Sequence, residues 1–382
     1  MKWVNRVTEY LFYLFFASLI FSNTLAQGCA AILIFLWLFR WIATRRFVRT
    51  PLDLPVILYL LVRAISCFTS IDMVRSFGEL RSGVFFSLIY FAITNFSKTE
   101  DDDSVLYRNI AILIYAGAMA ALFGIIFFFV LHGTVKAQST AGGITRFAEY
   151  SMIALCLSFA LAHERRIFPK RFLAFITIGM LTGGLILAQQ RAQWLGIIPV
   201  AFIIGFKRER WILGYIIAIS GGLILFLRTI RSRLQTFSNL LSYTTGRLDI
   251  WYGARTLLFK RPILGFGPRT YPVISPVLKN RGTWHSDYLQ TYMDSGVFGL
   301  VSYLFLSVML FVNCIALCTD DRQRDIGFAL LFVFIAMYIV SFFSGHIQEP
   351  VITPLFFSLV AFVSLLSKKR KKECGLSSSV LP

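Results

Sequence analysis

The chain of 382 residues is 57% hydrophobic and only 15% charged, with a mean hydropathy of +0.70. A soluble domain carries about 25% charged residues, so a water-facing surface of ordinary size is excluded. The formal charge of +19 lies in short basic clusters between apolar runs, not on a face with interleaved aromatics; membrane lipids, and no nucleic acid, are the expected partners.

Apolar runs recur along the whole chain, so the expected fold is an all-α integral membrane protein. In chain order they predict twelve spans, at about 8–26, 29–44, 52–70, 82–97, 108–131, 149–163, 171–189, 193–206, 210–228, 296–318, 326–345 and 350–367. Crossing about 30 Å of hydrocarbon takes about 20 helical residues, so the shorter runs require tilt or local thinning. Between the first two, Ala26-Gln27-Gly28-Cys29 faintly resembles a lipoprotein cleavage site. The apolar run that follows at once favours an uncleaved helical hairpin, turning near 27–28. Cys29, Cys67, Cys156, Cys314 and Cys318 lie in or beside apolar runs and Cys374 in the basic tail. Without a CxxC or a Cys/His cluster, they indicate neither a disulfide framework nor a zinc site.

Orientation follows from Lys and Arg. An even number of spans puts both termini on one side, and the tail Lys368-Lys369-Arg370-Lys371-Lys372 makes that side cytoplasmic. The same side then receives Lys2 and Arg6, Arg40/Arg45/Arg46/Arg49, Lys98 and Arg108, Arg165/Arg166/Lys170/Arg171, Lys207/Arg208/Arg210, and Arg322/Arg324. The chain divides into residues 1–228 with the first nine spans, an outer segment 229–295, residues 296–367 with the last three spans, and a tail 368–382, all within one membrane domain.

The outer side holds the irregular material: residues 132–148, the turn at Arg191, the segment 229–295, and a short loop with His346 and Glu349. The long segment, with Arg228 just before it, carries Arg231, Arg233, Arg247, Arg255, Lys260, Arg261, Arg269, Lys279 and Arg281 against Asp249, Asp287 and Asp294. Long loops cross whatever their charge, but this excess asks for an anion. Lipid phosphates at the interface are one answer. The other is a cationic pocket in which two or three arginines grip a diphosphate bidentately.

Three features favour the pocket. Arg191, in Gln189-Gln190-Arg191-Ala192-Gln193, lies at an outer turn, where it either snorkels or faces a partner. Residues 247–261 read as an amphipathic interfacial helix with Arg247, Trp251 and Arg255 on one stripe, stopped by Pro262. The turn Leu264-Gly265-Phe266-Gly267-Pro268-Arg269 then offers backbone amides to an anion. Finally His285, in Trp284-His285-Ser286-Asp287-Tyr288, lies just before a span, where an imidazole can act as general base on a sugar hydroxyl. His132, His163 and His346 read as ordinary loop or boundary residues.

These residues resemble a known family. His285-Ser286, nine residues, Gly296, two residues and Gly299 agree with the His-[Asn/Ser/Gln]-x9-Gly-x2-[Gly/Thr/Val] pattern of the bacterial O-antigen ligases, and Val297-Phe298-Gly299-Leu300 continues it. Gly246-Arg247-x3-Trp251 and Pro262-Ile263-Leu264-Gly265-Phe266-Gly267 resemble the Arg-x3-Trp and Gly-x-Gly elements of the wider ligase and polymerase superfamily. Arg191 stands where that family has an arginine, with Gln190 and Ala192 in place of the usual small residue and glycine. The resemblance covers roughly 180–300.

It implies a membrane glycosyltransferase of GT-C-like type in the bacterial inner membrane, with a periplasmic active site. The reaction would be inverting and without metal or other cofactor. Its donor would be an undecaprenyl-diphosphate-linked glycan and its acceptor lipid A-core. Carried over, Arg191 and Arg247 would hold the diphosphate, and His285 would activate the acceptor or orient the diphosphate. Trp251, Arg255 and Arg269 join the substrate-binding residues expected here. Arg146 and Glu149, at the outer start of a span, would line the sugar or acceptor entry, or form an interfacial ion pair. A polysaccharide polymerase, a protein O-glycosyltransferase and a transporter of lipid-linked sugars are the competing readings. A transporter would carry charges deep in its spans and broken helices in related halves, whereas Arg63 is the one clear mid-span charge here.

Overall fold

The computed structural model describes residues 2–96, 103–131, 135–140, 143–207, 210–235, 247–274, 283–346, 349 and 351–373. Lys98, His132, Arg208, Gly246, Lys279, Arg281 and Cys374 lie outside the described residues. Within them every regular element is helical. In chain order these are α1 (Lys2–Ser18), α2 (Asn23–Thr44), α3 (Asp53–Phe68), α4 (Met73–Glu79), a π-helical turn (Leu80–Phe85) and α5 (Ile89–Phe96). Next come α6 (Ser104–Val130), α7 (Ile144–Ala160), α8 (Arg171–Leu187), α9 (Arg191–Lys207), α10 (Arg210–Phe226), α11 (Arg228–Gln235) and α12 (Arg247–Arg255). The last are α13 (Tyr271–Ile274), α14 (Asp287–Cys318), α15 (Arg324–Val340) and α16 (Ile352–Glu373).

Helices α2, α6, α14 and α16 are long and apolar enough to cross a membrane. Shorter apolar helices such as α8, with 17 residues, rise about 25 Å at 1.5 Å per residue, just under the hydrocarbon thickness. α16 is the central post: Ile352 through Ser367 are buried on every side, as expected of a helix apolar all round. α14 packs on α3, α15 and α16, and α7 packs on α6, α8, α9 and α15. Outward, Phe35 and Phe39 of α2 and Val301, Val308 and Val312 of α14 stay exposed, an apolar flank suited to lipid rather than water.

The two ends of the bundle differ in kind. At one end the basic clusters tie helix ends together, through Lys369–Asp103 (2.8 Å) and Arg322–Glu373 (3.6 Å). At the other end lie the turn 19–22, the start of α7, the turn from α8 to α9, the segment 247–274, residues 341–346 and Glu349. Thr140 Oγ1 donates to Phe21 O there, and Ala137 N to Leu187 O.

Several boundaries depart from the sequence reading. The first hairpin turns at 19–22, not at 27–28: Ser22 caps α2 by accepting from Leu25 N, and Cys29 is buried mid-helix. The expected span 82–97 is a π-helical turn followed by the eight residues of α5. The π-helical turn accommodates buried Glu79, whose carboxylate occupies the space beside Gly83. The expected helix 247–261 ends at Arg255, where Leu257 N and Leu258 N both turn back to Ala254 O. This folds Leu257 and Leu258 onto a small separate core of Ile250, Ala254, Phe266, Tyr271, Trp284 and Met293. α14 starts at Asp287, nine residues before the expected span, and carries a break at Gly296.

Candidate functional site

Arg191 is the first residue of α9 and Arg247 the first of α12. The sharp turn into α9 is made by Gln189 in the left-handed region (φ 55°) and braced by Trp194 Nε1 donating to Leu185 O at 3.1 Å. Both arginines are half-buried. Burial first, and then the nearby Arg191 charge, lowers the pKa of the Arg247 guanidinium from its usual value. Among the described residues no carboxylate forms an ion pair with Arg247. Two like charges therefore share a partly desolvated place where two helix N-termini add positive dipole ends, an arrangement that an anion relieves. Two residues on, Gln193 is buried, and neither of its amide atoms has a hydrogen-bond partner among the described residues.

His285 precedes α14 in a short strap. Its backbone is left-handed (φ 52°), which for a non-glycine residue costs on the order of 1 kcal/mol and persists only when neighbours impose it. The neighbours are evident. Trp284 is fully buried, with its ring edge-on to Tyr271. Asp287 N donates to Ser341 O, while the Asp287 carboxylate accepts from Ser341 Oγ and His346 N, all at 2.9 Å. The imidazole of His285 is half-buried between those anchors.

Trp251, on α12, is bonded to this strap. Its indole Nε1 donates to Trp284 O at 3.2 Å. Arg255, two turns beyond Arg247, is exposed at the end of α12.

The glycine turn 264–269 does a different job from the one expected of it. Its amides are taken: Gly265 N donates to Arg261 O, Phe266 N to Met293 O and Gly267 N to Asp294 O. The last two acceptors are carbonyls of α14 next to the break at Gly296 (φ 64°). Val297 N, on the far side of the break, donates to Pro262 O at 2.7 Å. A Cβ on Gly265 would lie 2.5 Å from the Asp294 carbonyl carbon, and one on Gly296 2.2 Å from Ile263 O. The glycines of the two motifs thus let one backbone plug into the other, and the turn's amides are not an anion nest.

Arg269, which ends this turn, is engaged elsewhere. Its guanidinium meets Glu79 (3.4 Å) and donates to Ser82 Oγ (2.6 Å), so the structure does not bring it to the Arg191–Arg247 pair. Glu79 is fully buried and also holds Arg63, at 2.5 Å; Asp294 stands 3.9 Å from the same guanidinium. The mid-span Arg63 is therefore balanced by carboxylates from α4 and α14. Those partners were not identified in the sequence reading, although a buried arginine in a span demands one.

Arg146 and Glu149 lie one turn apart on α7 and do not pair with each other. Arg146 Nε meets Glu349 at 2.6 Å. Buried Glu149 forms an ion pair with Nδ1 of His346, itself 2% exposed. Burial alone would lower the His346 pKa; the carboxylates of Glu149, Asp287 and Glu349 outweigh it and raise it to about 9. His346, read in the sequence as an ordinary loop residue, is thus paired with Glu149 in the interior. The accompanying signal was Glu149, a carboxylate inside an apolar run.

Long apolar helices, an apolar flank and a half-buried cationic pair at one end define a multi-pass integral membrane protein with its polar chemistry at that end. Residues 176–304, from within α8 to within α14, match the model of the family described as O-antigen ligase. Over that stretch, about a third of the chain, the sequence is similar to the O-antigen ligase family. The match includes Arg191, Arg247, Trp251, the glycine turn, His285 and Gly296, and excludes Arg63, Glu79, Glu149 and His346. No curated protein matches the chain.

Proposed function

We propose that this protein is an O-antigen ligase that transfers a glycan from undecaprenyl diphosphate to a sugar hydroxyl of lipid A-core. The reaction takes place on the periplasmic face of the bacterial inner membrane, with both chain termini in the cytoplasm and twelve crossings between them. The carrying observation is Arg247, half-buried beside Arg191 and without a carboxylate partner among the described residues.

In this reading the acceptor oxygen attacks the anomeric carbon from the face opposite the diphosphate, so the configuration inverts. The bond from that carbon to the diphosphate oxygen breaks as the new glycosidic bond forms. Arg191 and Arg247 take up the charge developing on the diphosphate, preorganised in a site that water only partly reaches. His285 accepts the hydroxyl proton, and undecaprenyl diphosphate leaves. Because the guanidiniums supply the positive charge, the reaction is expected to be independent of divalent metal. Gln193 contributes amide donor and acceptor atoms to the same pocket, and Arg146 and Arg255 flank the glycan.

The test is transfer by purified protein in nanodiscs with EDTA present, offering lipid A-core and a second lipid-linked glycan as separate acceptors. Transfer to lipid A-core that is lost in Arg191→Ala, Arg247→Ala and His285→Ala supports the ligase. Extension of the lipid-linked acceptor instead means a polymerase on the same scaffold. Use of neither acceptor by folded protein rejects the transferase reading and leaves transport of lipid-linked sugars to be measured.

A further inference from the structure

The backbone of Trp284, which precedes the proposed base, is hydrogen-bonded at both its carbonyl and its N–H by side chains from two different elements. From α12, Trp251 Nε1 donates to its carbonyl at 3.2 Å. From α14, Gln290 Oε1 accepts from its N–H at 3.1 Å. Gln290 is itself fixed: its Nε2 donates to Asp294 Oδ1 at 2.8 Å, and Asp294 lies 3.9 Å from Arg63 in the buried charge network. Trp284, Gln290 and Asp294 are each at most 3% exposed.

Two consequences follow from this geometry. His285 is in a left-handed conformation that its own backbone disfavours, so its position depends on what pins the peptide before it. Trp251 sits four residues after Arg247 on the same helix. Its bond to Trp284 therefore ties the element carrying one arginine to the strap carrying the histidine. Neither Trp251 nor Gln290 needs to touch substrate for this.

We infer that Trp251 and Gln290 are positioning residues, which hold His285 in register with Arg247 by clamping the Trp284 backbone at its carbonyl and its N–H. The inference rests on the transferase reading above for its catalytic consequence, but the clamp itself can be tested without it. A misplacement of about 1 Å in a reacting group lowers turnover by up to about a hundredfold.

Trp251→Phe keeps an aromatic ring and removes the N–H. Gln290→Met keeps the length and removes both polar atoms. Gln290→Glu keeps an acceptor for the Trp284 N–H and, when protonated, a donor to Asp294. The experiment measures kcat and KM for the lipid-linked donor across pH, together with backbone hydrogen exchange over 283–289.

Trp251→Phe and Gln290→Met are expected to lower kcat at least tenfold with KM within about threefold, and to speed exchange at the Trp284 amide. Relative to the wild type at the same pH, Gln290→Glu is expected to regain turnover as the pH falls and its carboxyl protonates, a recovery that Gln290→Met does not show. Wild-type kcat in both Trp251→Phe and Gln290→Met would overturn the inference, as would a loss of turnover matched only by a loss of folded protein. If the wild type transfers to neither acceptor, the transferase reading fails and exchange alone decides. Faster exchange in both variants upholds the clamp, and unchanged exchange removes it.

Discussion

Arg247 carries its charge into a half-buried place already occupied by the field of Arg191, and in the proposed reaction its worth lies in binding the diphosphate. A lysine at 247 would keep the charge and lose the planar fork that matches a diphosphate. Arg247→Lys is therefore expected to lose at least tenfold in kcat/KM, and Arg247→Ala more, with little change in thermal unfolding. The opposite balance holds for Glu79. It is fully buried and holds both Arg63 and Arg269, so Glu79→Gln leaves a buried guanidinium short of its counter-charge. That change is expected to destabilise by about 3–5 kcal/mol, seen as a drop in the unfolding temperature in detergent. His346 supplies a pH dependence whose sign is fixed by its partner. Its folded pKa, about 9, lies above the unfolded value of about 6.5. The stabilisation is thus fully present below about pH 6.5 and is lost as pH rises through 9. Thermal unfolding measured from pH 6 to 10 should show that decline, and His346→Gln should flatten it.

At the level of elements, two glycine-bearing motifs form a single joint. The break in α14 at Gly296 frees the carbonyls of Met293 and Asp294, and the 265–267 turn satisfies them. A Cβ at Gly265 or Gly296 would collide with backbone rather than with a side-chain end, so neither clash can be relieved by a rotamer change. Gly265→Ala and Gly296→Ala are each expected to cost about 1–3 kcal/mol from strain at positive φ alone. Both should reduce transfer together with stability. This joint also shows what was legible locally. The spacing from His285 to Gly296 and Gly299 and the glycine pair were visible as motifs. That the turn's amides serve α14 instead of an anion was not, because the acceptors come from residues about 27 positions away in the chain. Helix α12 was visible as a stripe of Arg247, Trp251 and Arg255. Its early end at Arg255 depended on Leu257 and Leu258 finding a core built from α13 and α14.

On the scale of the whole molecule, basic clusters tie one end and the cationic pair with the histidine strap occupies the other. Tyr252 and Phe259 project at the site end, 68% and 85% exposed, and Arg322 is exposed at the basic end. In intact cells stripped of their outer membrane, single cysteines at 252 and 259 are expected to react with an impermeant maleimide. One at 322 should react only after permeabilisation. The reverse pattern would invert the proposed orientation and place the site in the cytoplasm.

The sequence by itself determined the class of protein and drew attention to the residues proposed as its site. Hydropathy and charge clustering are properties of contiguous residues, and a bilayer sorts contiguous segments. The same local character made Arg191, Arg247 and His285 conspicuous, since each interrupts a boundary or an amphipathic stripe. Tertiary structure alone decided which charges meet. Arg63 finds Glu79 and Asp294, Arg269 goes to Glu79, Glu149 goes to His346, and Arg247 is left beside Arg191. In a buried setting a charge's energy depends on its few nearest partners, and those partners lie on helices far apart in the chain. No spacing rule reports which carboxylates are consumed in holding the fold together.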